Sequence, residues 1–165
     1  MEEIEYVYTS KEYIKSFNKT LDTVARERKY LAKVEGPSME SSEGFAGFLV
    51  KNNFPQYFAV LNEEVIGWCD AVPVSFEGMN HIAVLGMGIL QEFRNRGLGS
   101  KLLELTISHA KEKNNIEKIE LEVFKGNTGG VEFYKKHNFR IEGERIKSRK
   151  LNGVYDNIIL MGKFL

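Results

Sequence analysis

Between His81 and Phe124 the chain reads strand, glycine-marked turn, amphipathic helix, strand, and this order constrains the fold more than any other feature. His81–Ile89 is rich in apolar and β-branched residues, as a buried strand requires. Leu98, Leu102, Leu103, Thr106, Ile107 and Ala110 fall on one face of a helix that ends near Asn114-Asn115. Ile119, Leu121 and Val123 then alternate with Lys118, Glu120 and Glu122, the period of a half-buried strand. Strands joined through a helix run parallel, and nearly all such crossovers are right-handed. At least one parallel pair, with a helix packed on its sheet, is therefore expected.

The rest of the chain supplies antiparallel partners. Ile4 to Thr9 reads as a strand, and Ser10 is placed to cap a helix from Lys11 to about Lys29, with Ile14, Phe17, Leu21, Val24 and Arg28 along one stripe. Gly36-Pro37-Ser38 breaks the chain before a second helix, which starts near Ser38 or Ser42 and buries Phe45, Phe48 and Leu49. Strands follow at Tyr57–Leu61, Val65–Val74 and His81–Ile89, divided by breaks short enough for hairpins. A short helix from about Thr128 to His137 closes on Asn138 in the left-handed conformation, and strands around Phe139–Lys147 and Val154–Phe164 meet at Asn152-Gly153, a strong hairpin signal. One hundred and sixty-five residues suit a single domain, residues 1–165, and 42% hydrophobic against 28% charged residues suffices for a core and excludes global disorder. The fold class is α/β, with a central mixed, mostly antiparallel sheet.

Composition removes several function classes. Lys/Arg and Asp/Glu both number 23, so the chain is no polybasic nucleic-acid binder, and no basic run is interleaved with aromatics. The neutrality is divided: residues 1–90 hold 8 Lys/Arg against 13 Asp/Glu, and residues 91–165 hold 15 against 10. Cys69 is the only cysteine, so there is no intrachain disulfide and no cysteine-rich zinc site. Three scattered histidines lack metal-ligand spacing, so no metal is expected. The start Met-Glu-Glu-Ile-Glu lacks the basic region of a secretory signal, and no apolar run approaches the roughly 20 residues of a membrane span. A soluble, cytoplasmic protein is expected, with no membrane partner.

The chemistry lies in Gln91-Glu92-Phe93-Arg94-Asn95-Arg96-Gly97-Leu98-Gly99-Ser100, between strand and helix. Glycines let successive backbone N–H groups converge, and the helix adds its unpaired first donors and positive dipole end, which suits a phosphate. The Gly-Lys-Ser/Thr ending of a Walker loop and the third glycine of a dinucleotide fingerprint are both missing. Two glycines alone equally describe an ordinary tight strand–helix turn.

Here the chain resembles the GNAT superfamily of acetyl-CoA-dependent N-acetyltransferases. Arg94-Asn95-Arg96-Gly97-Leu98-Gly99 is similar to its pyrophosphate-binding pattern Arg/Gln-x-x-Gly-x-Gly/Ala, and Leu85-Gly86-Met87-Gly88-Ile89 looks like its central strand, whose backbone pairs with the pantetheine arm. Asn127-x-x-Gly130-x-x-x-Tyr134-x-x-x-Asn138-Phe139 is similar to the family's next strand–helix junction. The resemblance covers about residues 55–165. It implies two splayed parallel strands in a sheet flanked by about four helices, with acetyl-CoA as acyl donor and an amine as acceptor. Met87, Gly88 and Ile89, the loop from Arg94 through Asn95, Arg96, Gly97, Leu98, Gly99 and Ser100, and Asn127 with Tyr134 become the cofactor-binding residues it implies. The splay would explain Gly88 and Gly126, since glycine in a strand often marks a bulge or close approach.

Transfer to an amine needs a bound thioester, a neutral amine and a proton for the departing thiolate. By the resemblance, Tyr134 is the catalytic acid and Asn127 bonds cofactor amides, a role compatible with capping the helix. No carboxylate stands in Leu85-Gly86-Met87-Gly88, so Asp70, Glu43 and His81 stay open as the base. Cys69 reads as a small core residue, and His109 and His137 as surface residues. Tyr155-Asp156-Asn157 and Met161 look like the Tyr-x-Asp…Met ending of relatives that acetylate protein N-termini, polyamines or antibiotics. Asn157 stands where they carry Asp, and Asp156 falls on the opposite face. A small-molecule acceptor is favoured over a protein N-terminal α-amine, a non-catalytic acyl-CoA sensor is the competing class, and the final strands offer a homodimer contact. The acidic first half is expected to attract a cationic amine and the basic second half the polyanionic cofactor.

Overall fold

The computed structural model describes residues 3–165. Seven strands, β1 (Glu5–Tyr8), β2 (Gln56–Leu61), β3 (Glu64–Pro73), β4 (Ile82–Ile89), β5 (Lys118–Phe124), β6 (Arg140–Leu151) and β7 (Val154–Phe164), form one sheet in the order β1-β2-β3-β4-β5-β7-β6. β4 and β5 are parallel and every other neighbouring pair is antiparallel. Four helices accompany them: α1 (Ile14–Arg26), α2 (Met39–Lys51), α3 (Leu98–Asn114) and α4 (Thr128–Lys136). No helix among the described residues is long and apolar enough to cross a membrane.

Turn chemistry sets the hairpins. Asn62 and Glu63 (φ 49° and 65°) and Asn152 and Gly153 (φ 51° and 79°) are pairs of left-handed residues, which match the twist of two strands joined by two residues. Asn115 and Asn138 (φ 55° and 66°) end α3 and α4 in the same conformation.

Two cores lie on opposite faces of the sheet. α3 lays Leu98, Leu102, Leu103, Thr106 and Ala110 against Cys69, Ala83, Ile119, Leu121 and Val123. Burying Leu102 and Leu103 contributes about 1.5–3 kcal/mol each. On the other face α1 packs Phe17 and Val24 on Phe58, Val65 and Trp68, and the Thr20 hydroxyl donates to the Val65 carbonyl at 2.5 Å.

The first third of the chain departs from expectation. α1 follows a 3-10 turn (Lys11–Tyr13), Ser10 makes no side-chain cap, and the helix stops at Arg26 because Arg28 is left-handed (φ 58°). α2 starts at Met39 with the Ser38 hydroxyl accepting from the Ser41 N–H, and it buries Ser42, Ala46 and Leu49. Phe45 and Phe48 are exposed, Phe48 by 46%. α2 lies beside α1, where Ser42 accepts from the Asn18 amide at 2.9 Å, so small residues form the seam and Phe48 meets Phe54 instead.

Candidate active site

The parallel pair separates. β4 and β5 are in register only from Ile82↔Lys118 to Val84↔Glu120, after which β4 follows β3 to Ile89 and β5 follows β7 to Phe124. Backbone groups of Leu85–Ile89 and Leu121–Phe124 that face the gap lack each other as partners. Unpaired backbone donors and acceptors are an obligatory demand for hydrogen bonds, which an extended amide-bearing chain can meet. Met87, Gly88 and Ile89 line this gap on the β4 side and are half-buried.

Packing gives Gly88 a reason of its own beside the expected one. A Cβ there would lie 2.3 Å from Trp68 Cη2, so the glycine is needed by the indole across the β3–β4 pair. Gly126 likewise serves Asp156: its N–H donates to that carboxylate at 3.2 and 3.3 Å, and a Cβ would come within 2.9 Å of Oδ2.

At the mouth of the gap a short turn (Gln91–Phe93) leads through Asn95 (φ 60°) and Gly97 (φ 84°) into α3. No side chain caps α3, and its first internal bond is Lys101 N–H to Gly97 O, so the N–H groups of Leu98, Gly99 and Ser100 have no acceptor among the described residues. These donors, with the positive end of a 17-residue helix, suit a phosphate. Leu98 and Gly99 are buried, and a Cβ on Gly99 would meet Phe133 at 3.2 Å, so Gly99 also seats α4. Arg96 is exposed, with its guanidinium 5.5 Å from the Phe93 ring centroid.

The Arg94 side chain is bonded away from the start of α3. Its Nη1 and Nη2 donate to the Glu27 carboxylate at 2.8 and 2.5 Å, its Nε donates to the Ile89 carbonyl at 2.8 Å, and its guanidinium sits 4.5 Å from the Tyr30 ring centroid. Its backbone N–H is bonded to Gln91 as well. The side chain expected to hold phosphate is instead committed to the segment after α1. That segment also meets the β6–β7 hairpin, where Arg149 donates to the Arg28 carbonyl at 2.7 Å and Arg28 to Asn152 Oδ1 at 3.3 Å. Residues 27–30 therefore join the two sides of the mouth. Sequence reasoning missed Glu27, Arg28, Tyr30 and Arg149, because Arg94 and Glu27 are 67 residues apart and no local pattern links them.

Tyr134 sits on α4 against Phe133 and Phe139, half-buried, and its hydroxyl has no hydrogen-bond partner among the described residues. Burial pushes the phenol above its ordinary range, and the Cys69 thiol adds to this, so the proton is firmly held until an acceptor arrives. Asn127 caps α4 through Oδ1, accepting from the Gly130 N–H at 2.9 Å, and its Nδ2 has no acceptor among the described residues. Gly130 leaves room for that cap as it stands, since a Cβ would meet Asn127 Nδ2 at 2.5 Å.

Of the three base candidates, Asp70 stands over β4 beside the gap. Asp70, one strand position beyond Cys69, shares the face of Trp68 and lies opposite Gly86, and it is 9% exposed. Burial raises its carboxyl to about 7, opposed by a 3.4 Å hydrogen bond from Gln56. His81 precedes the end of β4 that is paired with β5, away from the gap, and Glu43 is exposed on α2. Asn157 bonds Glu144 (2.6 Å) and the Lys147 N–H (2.8 Å), fixing the bulge of β6. His109 is not a free surface group: it bonds Tyr57 and the Asn53 carbonyl and stacks on Tyr8. Cys69 is buried, with its thiol pushed up by desolvation, as a core cysteine should be.

The unpaired strand edges and the uncapped helix fit a pantetheine arm and its phosphates respectively. Residues 20–139 match the family described as Acetyltransferase (GNAT) family. Among curated proteins, the chain is 29% identical over 66% of its length to L-amino acid N-acetyltransferase AaaT of Escherichia coli, covering 67% of that protein. It is 32% identical over 51% of its length to an N-alpha-acetyltransferase of Sulfolobus acidocaldarius, covering 55% of it, so the chain spans about half of that relative. A GNAT-family acetyltransferase structure from Streptococcus pneumoniae superposes with a TM-score of 0.92 and 26% identity, over 99% of this chain and 100% of that one. Two solved structures that share this fold, from Salmonella typhimurium and Sinorhizobium meliloti, hold acetyl-CoA. With the parted strands, the uncapped helix and the family match all falling on one stretch of chain, this protein belongs to the acetyltransferase (GNAT) family and is an acyltransferase.

Proposed function

We propose that the chain transfers the acetyl group of acetyl-CoA to a primary amine by direct attack in a ternary complex, with a small molecule as acceptor. The observation that carries this reading is the parting of β4 and β5 after Val84 and Glu120, with the uncapped start of α3 at the mouth. Leu98, Gly99 and Ser100 donate backbone N–H groups to the phosphates, the open edges of Met87–Ile89 and Leu121–Phe124 pair with the pantetheine amides, and Asn127 Nδ2 donates to one of them. Tyr134, whose proton is held by burial, protonates the departing thiolate. The Arg94 side chain holds Glu27 and Tyr30 beside the mouth of the gap.

The bridge formed by residues 27–30 narrows the acceptor's approach and favours a free amine over a folded protein surface. The name of the Escherichia coli relative supports an amino acid, and that of the Sulfolobus relative keeps an N-terminal α-amine as the second reading. We assign the protein to the cytoplasm, on its lone buried thiol. A homodimer would pair along the edge strand β6, where Ile141 and Ile146 are exposed, and sedimentation velocity tests this.

The experiment is thiol release from acetyl-CoA with free L-amino acids, spermidine and a short peptide with an open N-terminus. A free amine is expected to be acetylated, and Tyr134→Phe to lower kcat by about 10²-fold or more with acetyl-CoA binding retained. Acetyl-CoA binding with no turnover of any amine would favour a sensor module instead.

A further inference from the structure

Asp70 is the one charged side chain among the buried polar residues of the described chain, and no cation offsets it. Isolated buried carboxylates are costly and call for an explanation. The groups around Asp70 supply none. From β2, Gln56 offers one long hydrogen bond at 3.4 Å, and its own Oε1 has no partner. From β4, Gly86 offers no side chain. On β3 itself the neighbouring titratable group is the Cys69 thiol, which Asp70 raises. The buried polar residues of α1 and α2 are Thr20 and Ser42, uncharged and bonded to Val65 and Asn18.

Position gives the reason that packing does not. The Asp70 carboxylate occupies the space over Gly86, with Oδ1 3.2 Å from where a Cβ would stand. Gly86 lies two residues past Val84, the last residue of β4 paired with β5. Beside it Val84 is 46% exposed and Gly86 is half-buried, so this face of the gap is open to solvent. Strand alternation puts Cys69 on the opposite face, in the core cluster with Leu85 against which Tyr134 packs. Asp70 and Tyr134 thus flank the unpaired stretch of β4 from its two sides.

We propose that Asp70 is the catalytic base, taking the proton of the attacking amine over Gly86 while Tyr134 acts from the other face. The assignment rests on the acetyl-transfer reading above. The amine nitrogen bonds to the thioester carbonyl carbon, the carbon–sulfur bond breaks, one nitrogen proton passes to the Asp70 carboxylate, and the Tyr134 proton passes to the thiolate sulfur. Water then returns both residues to their resting states. A strand carboxylate reaching over a glycine of β4 supplies what Leu85-Gly86-Met87-Gly88 lacks.

The experiment measures kcat/KM for the fastest amine of the panel from about pH 5.5 to about pH 9 in the wild type, Asp70→Asn and Gly86→Val. In the wild type, log kcat/KM is expected to steepen by one unit per pH unit below about pH 7, reflecting ionisation of Asp70. Asp70→Asn should lose that extra slope and fall about 10²-fold or more at pH 8, with its Tm no lower than the wild type's and its acetyl-CoA binding intact. Gly86→Val, which fills the space over β4, should lower kcat/KM and leave acetyl-CoA affinity within about threefold. An Asp70→Asn enzyme with wild-type kcat/KM, or one keeping the steeper acid limb, overturns the assignment while the acetyl-transfer reading stands. A wild type that turns over no amine overturns both.

Discussion

Gly88 decides between packing and cofactor contact as the reason for a glycine in β4. A Cβ at this position would stand 2.3, 2.7 and 2.9 Å from three atoms of the Trp68 benzo ring, where carbon atoms prefer about 3.5–4.0 Å. The ring cannot swing away freely, because Trp68 is 3% exposed and meets Phe17 edge-on at 5.5 Å. Moving the ring or β4 by about an ångström places Gly88→Ala near the top of the overpacking range, about 3 kcal/mol. For a chain of this size that corresponds to a fall in Tm of about 6–12 °C. Trp68→Phe removes the offending atoms at a cost of about 1–3 kcal/mol for the cavity left behind. The double variant should then be more stable than the sum of the singles by about 1 kcal/mol or more. Urea unfolding with unchanged m-values reads the three differences. Additivity within about 0.5 kcal/mol, or a cost for Gly88→Ala below about 0.5 kcal/mol, would refute the packing account. A second readout separates the alternatives: if Gly88 exists for the cofactor arm, acetyl-CoA no longer raises the Tm of the double variant, whereas packing predicts that the shift is regained.

Three other perturbations probe the site. Ser100→Glu puts a carboxylate in the first turn of α3, where the helix dipole favours it by about 0.3–1 kcal/mol, so the apo Tm should hold or rise while the acetyl-CoA shift shrinks; differential scanning fluorimetry with and without acetyl-CoA reads both. Arg94→Ala and Glu27→Ala should each destabilise by about 2–3 kcal/mol, because each strands a largely buried charge, and both should weaken acetyl-CoA binding with effects that do not add. Tighter binding in Glu27→Ala by calorimetry would mean that a freed Arg94 does grasp phosphate. Asp70 should make stability fall as pH rises. The folded state keeps a proton to about pH 7 that the unfolded state loses near its ordinary 3.8, so stability is greatest below about pH 4 for this group, declines to about pH 7 and is flat above. Asp70→Asn should abolish that decline and gain about 2–4 kcal/mol at pH 8, read as urea midpoints across pH.

The legible parts of the fold share a short range. Hairpin ends at Asn62-Glu63 and Asn152-Gly153, helix ends at Asn115 and Asn138, and the alternation of Ile119, Leu121 and Val123 are each settled within a few residues, by backbone conformation or side-chain period. The free donors at the start of α3, after the loop from Arg94 to Gly97, were readable for the same reason, since they arise within one turn. Leu49 was readable as buried on α2, but the rest of its buried face was not, because Phe45 and Phe48 are more apolar than Ser42 and Ala46, and only the approach of α1 selects the smaller pair.

By itself, then, the chain's order of local signals determined a mixed sheet with one parallel crossover and a phosphate-suited turn at its end. Tertiary structure alone decided that Arg94 turns from the start of α3 to Glu27, that Gly88 makes room for Trp68 and Gly126 for Asp156, and that Asp70 lies over Gly86 at the opening of the gap. Each of these joins residues separated by 16 to 67 positions, and such pairs follow from sheet register and helix docking, which no single stretch of sequence encodes.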